Sequence, residues 1–126
     1  MTSRISSIRT FGKIIAEDTD INKIQIDKTT VTQATNISTA VTCNSAAGVI
    51  TTQTANAASD GSHTFTVNNS YVLSSSVVIV SICNYAGTGI PVIRSNSISN
   101  GSFTITISNP SGSALNAAMN ISFLVV

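Results

Sequence analysis

The sequence predicts an all-β fold, an antiparallel β-sandwich that is jelly-roll-like. Three observations predict it. Ser, Thr and Asn make up 49 of 126 residues while only 9% are charged, against about 25% in ordinary soluble domains. Hydroxyls and short amides suit the outward positions of strands and serve helices poorly. Apolar residues recur with period two in run after run, as half-buried strands require. Between the runs stand turn signals, "AAG", "SDG", "YAGTG", "SNG" and "NPSG". Their spacing of about eight to twelve residues suits a sandwich or jelly roll.

The strands follow in order. "KIQID" puts Ile24 and Ile26 on one face. "TNISTAVTC" aligns Ile37, Thr39, Val41 and Cys43, and its β-branched content argues against a helix. "GVITTQT" follows a glycine turn. "SHTFTV" sets His63, Phe65 and Val67 on one face and threonines on the other. "SVVIVSICNY" is apolar on both parities, as a central strand covered on both faces would be. "IPVIR" is short, and its proline points to an edge strand or a strand start. "SFTITIS" turns Phe103, Ile105 and Ile107 inward. "SALNAAMN" is read as a single helical turn, and "NISFLVV" ends the chain on a strand.

Part of this pattern occurs twice. "GSHTFTVNNS" (Gly61–Ser70) is echoed by "GSFTITISNP" (Gly101–Pro110), and the "CN" pairs at Cys43 and Cys83 share the same offset. Two related strand–turn–strand halves, chance in a biased composition, or plain convergence on β pattern would each produce this. Two copies cannot make a solenoid.

Charge divides the chain. Five of six basic residues and four of five acidic ones lie in the first 28 positions; from Thr29 onward only Asp60 and Arg94 are charged. Residues 1–28 therefore read as an N-terminal docking or anchoring segment, and residues 29–126 as the β-sandwich domain. The segment lacks the continuous apolar core of a secretory signal. No run reaches the roughly 18 apolar residues of a membrane-crossing helix, so no membrane insertion is expected. A net charge of +1 exerts little pull on nucleic acid, and none is expected as a partner.

No catalytic constellation emerges. There is no nucleotide-binding glycine fingerprint and no GxSxG elbow. His63 is the sole histidine, and a triad would have to recruit Asp60 across a turn, with nothing to orient the imidazole. The expectation is no enzyme and no cofactor. "EDTD" (Glu17, Asp18, Asp20) supplies too few oxygens for calcium, and two cysteines without metal spacing decide nothing about zinc or redox compartment. Two groups stay in view. His63 is a candidate interface or pH-sensitive residue. Tyr71, Tyr85 and Arg94 are candidates for a ligand-binding surface, because hydroxyl- and amide-rich surfaces suit carbohydrate.

A resemblance enters on several motifs in succession. "TQATNISTAVT", "SHTFTVNNS", "NGSFTITISN" and the closing "ALNAAMNISFLVV" resemble a short β-rich domain of structural proteins from phages and large algal or amoebal viruses. The likeness runs from about Thr30 to Val126, and residues 1–28 depart from it. It implies a fibre, spike or capsid-decoration domain at the virion surface. It further implies a homo-oligomer, with a trimer favoured, whose N-terminal segment meets other virion proteins. Valine-rich strands without the usual lysine guard on their edges also favour oligomerisation. The competing reading is a non-catalytic carbohydrate- or receptor-binding module, with host glycan as a partner.

Overall fold

The computed structural model describes residues 25–126. Most of the N-terminal docking segment, including its EDTD run, lies outside the described residues. Eight strands follow: β1 (Lys28–Thr32), β2 (Val41–Thr42), β3 (Ala47–Thr51), β4 (Ser62–Asn68), β5 (Val78–Cys83), β6 (Val92–Ser99), β7 (Ser102–Ser108) and β8 (Asn120–Val125). They form two four-stranded sheets, ordered β1-β3-β8-β5 and β2-β4-β7-β6. The chain is an all-β sandwich.

The sheets are mixed, where the sequence pointed to antiparallel pairing throughout. β1 pairs with β3 in parallel, and β2 pairs with β4 in parallel. The cause is the route of the chain. Parallel neighbours need a crossover, and here the path from β1 to β3 detours through β2 in the opposite sheet. The remaining pairs are antiparallel.

Period two does what it promised in β4 and β7. Phe65, Val67, Phe103, Ile105 and Ile107 are buried, and the threonines between them face out. From the other sheet come Ile50, Val78, Ile121 and Phe123. Phe103 and Phe123 meet edge to face with ring centroids 5.3 Å apart, a favoured geometry for two aromatic quadrupoles. Gly48 makes that contact possible. It pairs with Phe123, and a Cβ there would stand 2.6 Å from the Phe123 ring and 2.9 Å from Cys43 Sγ.

Four elements differ from the sequence reading. "KIQID" is not a strand where it is described; the strand begins at Lys28. "TNISTAVTC" keeps only Val41–Thr42. Asn36 ends the run, because its Oδ1 accepts from the Ser38 amide at 2.9 Å and its carbonyl accepts from the Thr39 amide at 3.0 Å. This local bonding competes with a ladder. "SALNAAMN" forms no helical turn. It is extended, with Leu115 N–H donating to Ala57 O and Ala55 N–H donating to Ala117 O. "SVVIVSICNY" is not central: β5 is an edge strand, and Val77 and Ile79 are exposed. Pro91 stands just before β6, which is also an edge strand, as its proline indicated.

Among the described residues no buried side-chain polar atom lacks a partner. Gln33 shows how. Its amide nitrogen donates to the carbonyls of Ile37 and Thr39 at 2.9 Å each, and its Oε1 accepts from Gln53 N–H at 3.0 Å. An unmade bond at such depth would cost about 1–3 kcal/mol.

Candidate functional site

The end of the sandwich where β4 begins and β7 ends carries a cleft of about 240 Å³, open to solvent and lined by Asp60, Arg94, Ser108, Asn109 and Pro110. Each wall has a local cause. Asp60 occupies the "SDG" turn ahead of β4 with φ of 61°, a left-handed conformation that Asp tolerates better than most residues. Its N–H donates to Asn109 O at 2.8 Å, and Gly61 O accepts from Asn109 N–H at 2.9 Å. The turn is thus tied to the exit of β7 by two backbone bonds.

Asn109 is the fully buried floor. Its Nδ2 donates to the carbonyls of Ala57, Ala58 and Ser113, and its Oδ1 accepts from Ile90 N–H and from Ser111. With its amide so engaged, Asn109 shapes the cleft and has little left for a ligand. Pro110 follows it, exposed.

Arg94 arrives by a register shift. Ile93 pairs with Ile107 and Ser95 with the next residue, Thr106, so Arg94 is the extra residue of a β-bulge. Bulges re-aim side chains and recur beside functional sites. The arginine is exposed and lines the cleft with Asp60, yet among the described residues the two form no ion pair with each other. These are the only two formal charges from Thr29 onward. Chemically the cleft offers a guanidinium for an anionic oxygen, a carboxylate for a hydrogen-bond donor, and the Ser108 hydroxyl.

The residues singled out from sequence do not converge on one place. Arg94 lies in this cleft. Tyr85 lies in the loop before β6, but its hydroxyl is spent on structure: it donates to Thr88 O and accepts from Asn116 N–H at 3.1 Å. Tyr71 is 59% exposed, and it follows the far end of β4, where Asn69 Oδ1 accepts its N–H. Asp60, Ser108 and Pro110 were not picked from sequence as ligand contacts. The signal that could have found Asp60 was its pairing with Arg94 as the sole charges of the body.

His63 sits on the core-facing side of β4, half-buried, opposite Ile107. Its Nε2 accepts from Asn56 N–H at 3.3 Å. Burial holds its pKa below the usual histidine value. The Asn56 amide thus engages Nε2 as an acceptor. Cys43 and Cys83 are both free thiols. Cys43 is buried, and burial pushes its pKa up, the reverse of what a reactive thiol needs. Among the described residues no group of three His, Cys, Asp or Glu side chains comes together.

Comparison with protein-family models, with curated proteins and with solved structures gives no match for this chain.

Proposed function

We propose that the chain is a non-catalytic structural component of a virion surface, a fibre, spike or capsid-decoration domain that works by homo-oligomerisation. The observation that carries the assembly is on the outer face of edge strand β5. Val77 and Val126 exchange two backbone hydrogen bonds at 2.9 and 2.8 Å, and Ile79 pairs with Leu124. Two adjacent cross-strand pairs thus present apolar side chains outward, with Val77, Ile79 and Val126 exposed by 59, 57 and 74%. Leu73, 58% exposed, lies in the loop just before them. β5 carries no charged residue, so it lacks the lysine by which edge strands ordinarily avoid pairing. A second copy of the chain, with the same uncharged polar surface, is the occupant that covers this strand without burying a charge.

The virion setting rests on the motif resemblance from Thr30 onward, and the favoured trimer on the same ground. The order β3-β8-β5 facing β4-β7-β6 is compatible with a shortened jelly roll. Residues 1–28, which hold most of the chain's charge, supply the contact to neighbouring virion proteins. Mass spectrometry of particles purified from the culture that produces the protein tests the setting. The chain should co-purify at fixed stoichiometry with the other particle proteins, and its absence from intact particles overturns the reading.

A further inference from the structure

We propose that the cleft between Asp60 and Arg94 binds a carboxylate-bearing monosaccharide unit, the acidic end of a surface glycan. The inference goes beyond assembly and concerns a different part of the fold. Val77 follows the loop that bonds to the β6–β7 hairpin, through Gly101 N–H to Val72 O and Ser74 N–H to Asn100 Oδ1. The cleft lies at the other end of β7, where Ser108 pairs with Ser62 and Val92.

The placement of charge is the starting point. In a body of residues 29–126 with one acid and one base, the chain brings both to one cleft from segments far apart in sequence. Each is delivered by an irregular piece of backbone, a left-handed turn for Asp60 and a bulge for Arg94. The guanidinium presents a planar fork that matches a carboxylate with two parallel hydrogen bonds. The Asp60 carboxylate accepts hydroxyl donors, and Ser108 both donates and accepts. The ring of Pro110 gives an apolar surface for the C–H face of a sugar.

Size and sign narrow the class. About 240 Å³ is below the roughly 300–1,000 Å³ of drug-sized pockets, so one ring fits and an extended chain does not. The cleft opens to solvent, which suits the terminal unit of a glycan. A bare phosphate has no ring to lay on Pro110 and leaves that surface without a partner. A neutral sugar would leave the Arg94 guanidinium unmatched.

The test is a titration of the full chain, followed by amide chemical shifts in two-dimensional NMR, with glucuronate, glucose, glycine and inorganic phosphate as probes. Glucuronate is expected to shift Asp60, Arg94 and Ser108, with glucose at least about tenfold weaker. Arg94→Met should abolish the glucuronate response while the rest of the spectrum stays folded, and Asp60→Asn should weaken it. No shift with glucuronate, an equal response to glucose, or a stronger response to glycine or phosphate at the same residues overturns the assignment. Because the readout is residue-specific, it stands or falls apart from the oligomeric state.

Discussion

Asn69 and Asn109 close the two ends of one strand pair in the same way. Asn69 N–H donates to Gly101 O, and Asn109 N–H donates to Gly61 O, both at 2.9 Å. Both side chains are fully buried, and each Oδ1 accepts an N–H two residues on, from Tyr71 and Ser111. Phe65 pairs with Ile105 at the centre of β4 and β7. A local two-fold axis there carries each residue of the first motif onto its echo forty positions later, His63 onto Phe103 and Val67 onto Ile107. The repeated motif is therefore one antiparallel ladder with a matching asparagine clasp at each end.

The clasps predict an order of stability. Asn109 holds three carbonyls and accepts from two residues, whereas Asn69 holds Ser45 O and the Tyr71 amide. Truncation strands these groups in the interior at about 1–3 kcal/mol each where water cannot replace the bond. Asn109→Ala should cost about 3 kcal/mol and Asn69→Ala about 2 kcal/mol, measured by urea unfolding. The reverse order would contradict the clasp account.

Gly48→Ala should destabilise by about 1–3 kcal/mol through overpacking against Phe123 and Cys43. Gly101→Ala meets nothing within 4 Å but must hold a φ of 82°, which costs roughly 1–2 kcal/mol. In a Gly48→Ala, Phe123→Leu double variant the first penalty should shrink, since the clashing ring is gone. Full additivity in a double-mutant cycle would contradict direct contact.

For His63 the sign follows from the lowered pKa. The unfolded chain binds the proton more tightly than the folded one, so stability is full above the ordinary histidine value near 6.5. It declines as pH falls through that value and through the lower folded pKa. Unfolding midpoints measured between about pH 8 and about pH 5 should fall toward acid in the native chain. His63→Phe, which installs the residue found at the symmetry-related position 103, should remove that component of the slope. An unchanged slope would show that His63 is not its source.

The two tyrosines should behave oppositely to a simple ligand-platform reading. Tyr85→Phe loses bonds to Thr88 and Asn116 and should cost about 1 kcal/mol. Tyr71→Ala, at an exposed position, should stay within about 0.5 kcal/mol. Thermal unfolding of the two variants checks both.

Much of this fold is legible in residue order, because β4, β7 and β8 alternate cleanly and each is half-buried. What escapes is non-local. Asn36 converts a strand-like run into a turn through its own side chain, and nothing in the hydropathy of "NISTAVTC" announces that. β5 reads as central because Val77 and Ile79 are apolar on its outer face; the pattern cannot separate a covered face from one left for a partner. The parallel pairs depend on which sheet β2 joins. The cleft was half visible, since Asp60 and Arg94 stand out as lone charges. That they share one site depends on the left-handed turn, which "SDG" announces only as a turn, and on the bulge, which has no sequence signature here.

The apolar face of β5 is the centre of the functional account, and solution mass by light scattering tests it most directly. The native chain should run as an oligomer, at three times the chain mass for the favoured trimer. The Val77→Lys, Ile79→Lys double variant should run as a folded monomer, because two buried lysines would face each interface without partners. A native chain that is monomeric, or a double variant that assembles as the native chain does, would contradict the account.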